Sequence, residues 1–168
     1  MIILVMGLPG SGKTYFASRF ANLIHADYIN SDRVRQRMFP FRSYSEREKA
    51  SVYDEMLELM RQAIRQDKDM VLDATFFKSD IRRKFIDGAG GDIVLIEVAA
   101  EESVIEKRLK QKRPDSDSDF EVYKLIKVQW EPFSGHRLIL ISSDHYIEDM
   151  LHQALGYLKL RNDKPAYC

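Results

Sequence analysis

The chain of 168 residues carries 26 Lys and Arg against 26 Asp and Glu, so its formal net charge is zero. That length suits one domain, and a composition 45% hydrophobic and 31% charged supplies a core beneath a solvated surface. A balanced total excludes coating a long polyanion with the whole surface, and the single cysteine, Cys168, excludes a disulfide framework or a Cys metal cluster.

Residues 1–12 are uncharged but too short for a membrane span of about 20 residues. They also lack the basic segment of a signal peptide, so the expectation is a cytoplasmic protein with no membrane contact. Ile2-Ile3-Leu4-Val5-Met6 reads as a buried strand ending at Gly7. A helix follows over 13–23, with Phe16, Phe20 and Leu23 on one face. Residues 27–30 form a short second strand. Residues 44–66 give the longest helical pattern, opened by Ser45 with Glu48 three positions on, a capping-box signature. Its apolar face is Val52, Met56, Leu59, Met60 and Ala63.

Residues 70–73 and 92–98 read as the third and fourth strands. Between them Ser79 is positioned to cap a helix over 80–87, closed by the glycines of 88–91. Helices are expected over 102–112, 119–131 and 145–160, with a fifth strand at 138–141. No internal repeat or heptad seam is visible, and no obligate protein partner is implied. Alternating buried strands and helices predict one α/β domain over 1–168, with a mainly parallel sheet of about five strands between two helical layers.

The most specific motif is Gly7-Leu8-Pro9-Gly10-Ser11-Gly12-Lys13-Thr14, a complete G-x-x-x-x-G-K-[ST] pattern between a strand and a helix. Its glycines let backbone N–H groups converge on phosphate oxygens, and the helix start adds a positive dipole end. Lys13 is expected to reach the β- and γ-phosphates of ATP, and the Thr14 hydroxyl to ligate Mg²⁺. Asp73 ends the third strand, where an acidic residue completes the Mg²⁺ site; the other reading is a carboxylate capping the turn at Thr75 and Phe76. Ala74 follows it, not the carboxylate with which many hydrolases polarise water. An Asn-Lys-x-Asp guanine-reading loop is also missing, since Asn162-Asp163-Lys164 has the wrong order. These features favour transfer to a hydroxyl over hydrolysis.

Asn30-Ser31-Asp32-Arg33-Val34-Arg35 follows the second strand, and ligands of open parallel sheets collect beyond such strand ends. Asp32 there can accept the proton of an attacking hydroxyl. Arg35, one helical turn on, can bind an anionic group. Ser31 or Asp32 can equally be a helix cap, with the arginines a solvated face. The loop Phe39-Pro40-Phe41-Arg42-Ser43-Tyr44 either stacks on a ring or covers the sheet edge.

Residues 106–114 hold five basic residues against Glu106. They predict a basic lid over about 106–120, with Arg113 acting on the transferring phosphate and Arg108 on the nucleotide. A basic helix end complementing the dipole is the plainer reading. The adjacent Asp115-Ser116-Asp117-Ser118-Asp119 fails as a calcium loop, because its sixth position is Phe120 and its twelfth Ile126. Residues 31–42 carry four arginines against Asp32, so the neutral total hides basic excess on both segments expected to flank the crevice.

Together the phosphate loop, Ser31-Asp32-Arg33-Val34-Arg35 and Val71-Leu72-Asp73-Ala74-Thr75-Phe76 resemble the P-loop kinase family that includes polynucleotide 5′-kinase and many bacterial AAA-type ATP-binding kinases. Trp130-Glu131-Pro132 adds to the likeness, which spans roughly residues 1–133. The resemblance implies a three-layer P-loop NTPase fold, ATP and Mg²⁺ as cofactors, and Asp32 as general base. It also implies Arg35 and Thr75 as acceptor-binding residues. The acceptor it suggests is a nucleic-acid or nucleotide 5′-OH; a small-metabolite or antibiotic kinase is the alternative. A nucleotide-dependent switch with little chemistry is the reading from a different class.

Overall fold

The structure, a computed structural model, describes residues 1–41, 43, 45–111, 119–143 and 147–162. Five strands, β1 (Ile2–Met6), β2 (Asp27–Asn30), β3 (Met70–Asp73), β4 (Ile93–Ala99) and β5 (Leu138–Ile141), form one parallel sheet in the order β2-β3-β1-β4-β5. Parallel strands require crossovers, and the sequence supplies them as helices, which then cover both faces. These are α1 (Lys13–Leu23), α2 (Ser31–Met38), α3 (Glu46–Arg65), α4 (Ser79–Gly88), α5 (Glu102–Leu109), α6 (Phe120–Gln129) and α7 (Ile147–Asn162).

Alternation along β1 divides the core. Ile2, Leu4 and Met6 pack with Val34 of α2, Val52, Met56 and Met60 of α3, and Phe85 of α4. Ile3 and Val5 point the other way, onto Phe16, Phe20 and Ala21 of α1 and Met150, Ala154 and Leu158 of α7. Phe16 and Phe20, one turn apart, stack with centroids 5.2 Å apart. Fully burying each such ring contributes about 1.5–3 kcal/mol. With both faces covered, β1 is buried at every position, hence its unbroken apolar run.

The three-layer α/β architecture matches the expectation, and the differences lie at helix ends. The long helix spans Glu46–Arg65, and its Ser45 hydroxyl accepts from Glu48 N–H as a cap. The Glu48 carboxylate does not complete the capping box; it turns to Ser43 and Arg35 instead. Leu57, absent from the predicted face, is buried, while Leu59 is only partly so. Ser79 is the first residue of α4, not its cap, and its backbone N–H is taken by the Glu131 carboxylate at 2.7 Å. α2 is capped by the Asn30 amide oxygen, which accepts from Asp32 and Arg33 N–H at 3.1 Å each, so neither Ser31 nor Asp32 serves as cap.

Phe39 packs on the core below the sheet edge, whereas Phe41 is 95% exposed. Of the expected lid, residues 106–109 are the end of α5, and the segment 112–118, including Arg113 and most of the Asp-Ser run, lies outside the described residues. Arg42 and Tyr44 lie outside them too. No helix among the described residues is long and apolar enough to cross a membrane.

Candidate active site

The phosphate loop occupies the carboxyl end of the central strand. Gly7 sits so close to β4 that a Cβ there would stand 2.4 Å from the Val98 carbonyl oxygen, and Gly12 caps α1 with φ +91°. Both positions demand glycine, one for space and one for conformation. Ser11 N–H donates to Leu8 O at 3.1 Å and folds the loop on itself, leaving Pro9 and Gly10 buried and Leu8 partly exposed. The Lys13 ammonium lies over the loop, 3.5 Å from the Leu8 carbonyl. Thr14 is exposed at the first turn of α1.

Arg108 braces this loop from α5. Its guanidinium donates to Gly10 O at 3.4 Å, Ser11 O at 3.3 Å and the Ser142 hydroxyl at 3.0 Å. Ile105 and Leu109 of the same helix lie directly against Gly10. The region expected to begin a lid is therefore docked under the loop, and a basic helix end serves as a strut.

Sheet register assembles the rest. Asp73 pairs across to Val5 of β1 and to Asn30 of β2, so strand ends β1, β3 and β2 stand side by side. Asp32, at the head of α2, is then two strand spacings, about 10 Å, from the strand that carries the loop. Gly7 N–H donates to Thr75 O at 3.4 Å, tying the loop to the β3–α4 connection.

Asp73 is fully buried. Its Oδ2 accepts from the Tyr28 hydroxyl and from Asn30 Nδ2, each at 2.7 Å. Its Oδ1 is buried with no hydrogen-bond partner. Such an oxygen costs free energy unless something else fills its valence. It does not cap the turn after β3: Phe76 N–H goes to the Tyr53 hydroxyl at 3.3 Å. Burial, and then the Asp73 charge beside it, pushes the Tyr28 hydroxyl far above its ordinary pKa of 10.0, so it stays a donor. Burial likewise pushes Tyr53 up to about 12.

The donor set fits Mg²⁺. A magnesium site on phosphates needs one or two protein oxygens rather than a cage. Asp73 Oδ1 and the Thr14 hydroxyl could supply them, and no cluster of three or more His, Cys, Asp or Glu able to hold a metal occurs among the described residues.

Around Asp32 the charges are paired. Arg35, its side chain only 11% exposed, donates to Asp32 Oδ1 at 3.1 Å and holds Glu48 Oε1, also at 3.1 Å. Arg37 pairs with Glu55 at 2.8 Å. Two of the four arginines of residues 31–42, Arg35 and Arg37, are thus met by carboxylates of α3, which a local charge count does not include.

On the other side of the loop lies a cavity of about 450 Å³, between Gly7, Leu8 and Ser11, the end of β4, α5, and Tyr123, Lys127 and Trp130 at the close of α6. Asp32 and Asp73 are not among its lining residues. Glu131, next to Trp130, fixes the end of α6 over the β3–α4 connection. It donates N–H to Phe77 O at 2.9 Å and accepts from Ser79 N–H at 2.7 Å and the Ser79 hydroxyl at 2.5 Å. Lys78 lies 3.3 Å from the same carboxylate.

Beneath this junction is Arg82, a buried arginine donating to the Phe76 and Glu131 carbonyls, each at 2.7 Å. Phe76 holds φ +49°, a conformation unusual for a phenylalanine. Tyr28 and Arg82 carry no motif, Glu48 reads only as half of a capping box and Asn30 only as the residue before Ser31-Asp32, so the sequence does not mark any of them as part of the site. Trp130-Glu131-Pro132 was the one signal that pointed to the junction.

A strand–glycine loop–helix unit at the centre of a five-stranded parallel sheet, with a buried aspartate on the adjacent strand, defines the P-loop nucleotide-binding class. The sequence matches the AAA domain family over residues 2–127, most of the chain, and the protein belongs to that family. Among curated proteins none matches.

Solved structures share the fold. A sugar kinase from Janibacter sp. superposes with TM-score 0.75 at 15% identity, over 94% of this chain and 93% of that one. A gluconokinase from Sinorhizobium meliloti gives TM-score 0.74 at 17% identity, over 95% and 92%. The Mycobacterium tuberculosis APS kinase, solved with AMPPNP and APS, gives 0.70 at 16% identity, over 94% and 96%. The architecture is that of P-loop kinases.

Proposed function

We propose that the protein is an ATP·Mg²⁺-dependent phosphotransferase acting on a hydroxyl of a small molecule. The observation that carries this reading is Asp32: a carboxylate 38% exposed, oriented by Arg35, at the strand end two places from the phosphate loop. A group there is positioned to work on an acceptor, not on the nucleotide.

The residues divide the work. Backbone N–H groups of residues 10 and 12–14 and the Lys13 ammonium hold the β- and γ-phosphates. Thr14 and Asp73 would hold the metal, which when bound would supply charge neutralisation for the transferring phosphate. Tyr28 and Asn30 fix Asp73 Oδ2, so that Oδ1 keeps its direction. Asp32 accepts the proton of the acceptor hydroxyl as that oxygen bonds to the γ-phosphorus. The bond from γ-phosphorus to the β,γ-bridging oxygen breaks, ADP leaves, and the proton passes to solvent. Arg108 keeps the loop in shape from behind. Thr75 stands at the acceptor edge of the loop, and Arg113 is the residue assigned to the transferring phosphate from the segment after α5.

A small acceptor is favoured over the nucleic-acid end that the sequence resemblance suggests. Support comes from neighbours named as a sugar kinase and a gluconokinase. The test is γ-labelled ATP with Mg²⁺ and a panel of hydroxyl acceptors. Asp32→Asn should lower transfer about 10²–10⁴-fold while nucleotide affinity is retained. Label released only as inorganic phosphate, equally by both proteins, overturns the reading in favour of a nucleotide-dependent switch.

A further inference from the structure

Tyr53 of α3 takes no part in the phosphoryl transfer described above, yet it is set where the acceptor is expected; this inference rests on the kinase reading. Strand register places it. Asn30 of β2 pairs with Asp73 of β3, so Asp32 and Phe76, two and three residues beyond that pair, lie just past neighbouring strand ends. The Tyr53 hydroxyl reaches the second of these positions and accepts from Phe76 N–H at 3.3 Å. Its ring packs against Phe76 and Phe85, with centroids 5.4 and 6.4 Å away. The charges of Arg35 and Asp32 on α2, and of Asp73 on β3, all act on the phenol. It therefore stands between α2 and the β3–α4 connection, beside Thr75, whose carbonyl accepts from Gly7 N–H of the phosphate loop at 3.4 Å.

A phenol hydroxyl has one proton to give as well as lone pairs to fill. Phe76 N–H fills a lone pair, but no acceptor for the Tyr53 proton occurs among the described residues. Burial keeps that proton in place up to about pH 12, so the group is a donor throughout the working range. The oxygen is also fixed. Phe76, to which it is tied, holds φ +49° and has its own carbonyl gripped by the Arg82 guanidinium at 2.7 Å. Tyr53 remains only partly buried. A fixed oxygen with an unused proton gives the crevice a neutral, directional donor, and a donor left without a partner costs free energy until a ligand oxygen meets it.

We infer that Tyr53 is an acceptor-binding residue: its hydroxyl donates to a second oxygen of the acceptor, while Asp32 receives the proton of the oxygen that attacks the γ-phosphorus. Compounds that carry this second oxygen are thereby selected over their deoxy forms.

The test uses γ-labelled ATP and Mg²⁺ with D-glucose, D-gluconate, D-ribose, glycerol and adenosine. It adds the monodeoxy forms of each compound that takes label or that binds in calorimetric titration with a non-hydrolysable ATP analogue. Wild type should favour the parent over one deoxy form about five- to tenfold. In Tyr53→Phe, which keeps the ring, parent and deoxy form should become equivalent, with nucleotide affinity unchanged. Because that variant also strands Phe76 N–H, a second protein carries 3-fluorotyrosine at position 53. Its more acidic hydroxyl still accepts from Phe76 N–H when ionised but no longer donates. Its preference for the parent should disappear as pH rises through the fluorophenol titration, while that of wild type persists. No preference in wild type, a preference that survives in Tyr53→Phe or in the ionised fluorotyrosine protein, or a loss confined to kcat overturns the inference. Transfer with the preference unmoved removes this inference and leaves the kinase. Tyr53-dependent binding without transfer removes the kinase and leaves this inference, and neither binding nor transfer removes both.

Discussion

The proposed donor half of the crevice is eight consecutive residues, 7–14, whose function would reside in backbone N–H groups and the adjoining Lys13 and Thr14 side chains, and whose geometry is enforced by two glycines. The proposed acceptor half draws Asp32 from α2, Glu48 from α3 and Asp73 from β3, and it is held by side chains that pair with one another. A polyphosphate is bound by local chain conformation, which tolerates little variation in sequence. A hydroxyl compound is selected by tertiary placement, which can be changed one side chain at a time without touching the loop. One fold can therefore keep its donor and change its acceptor.

The separability of the halves is the first thing to break. Lys13→Ala should lower phosphoryl transfer about 10³-fold, roughly 4 kcal/mol of transition-state stabilisation, and weaken nucleotide binding as well. Asp32→Asn should affect transfer alone. Turnover with labelled ATP and titration with a fluorescent ATP analogue give the two readings. Equal loss of both quantities in both variants would mean that the halves are one site.

Asp73 lies on the boundary, and its substitution sharpens where that boundary runs. Asp73→Asn keeps the shape and a partner for the Tyr28 hydroxyl but removes the charge offered by Oδ1. The Mg²⁺ concentration for half-maximal turnover should rise about tenfold, with thermal stability little changed. An unmoved Mg²⁺ requirement would transfer the metal site to other oxygens.

The contrast between the halves also explains what the sequence revealed. All five strands were legible to within a residue or so; the central β1, β3 and β4 are largely buried and read as apolar runs, while the edge strands β2 and β5 are partly exposed. The loop was legible because its chemistry is contiguous. Asp32 and Asp73 were reached through their positions at strand ends. What escaped was every assignment that depends on a distant partner. Ser79 looks like a cap until Glu131, 52 residues away, supplies the carboxylate. Glu48 looks like half of a capping box until Arg35 draws it inward. Within the basic stretch 31–42, Arg35 and Arg37 meet carboxylates only once α3 is folded against them.

Arg82 shows the same dependence in the core. Its guanidinium bridges the Phe76 carbonyl, on the connection after β3, and the Glu131 carbonyl, at the end of α6. It thereby couples the metal side to the cavity side. Burial lowers its pKa from the ordinary 12.5, yet it remains an ion at any usual pH. Arg82→Met fills much of the volume but leaves both carbonyls without their donor, at a cost of about 2–3 kcal/mol. Urea unfolding should show a lower midpoint with an unchanged slope. Turnover should fall less than in the Asp73 and Lys13 variants, since no reacting group is lost.

The smallest effect belongs to Glu131, on the surface of that junction. The Ser79 hydroxyl and backbone N–H, with help from the Lys78 ammonium, hold its carboxyl down to about 2 from an ordinary 4.5. A depressed carboxyl contributes stability that is complete above its unfolded pKa and is lost as pH falls through the folded one. Wild type should therefore exceed Glu131→Gln in stability at neutral pH. The gap should narrow below about 4.5 and close near about 2. Because the carboxylate is partly solvated, added salt should reduce the gap at neutral pH. Denaturant unfolding of both proteins across this range reads the difference directly. A gap that persists at the acid end would assign the contact to the geometry of the Ser79 hydrogen bonds, which glutamine partly keeps, and not to charge. The α6 end would then be docked by hydrogen bonds alone: those of Ser79, that of Glu131 N–H to Phe77 O, and that of the Arg82 guanidinium to Glu131 O.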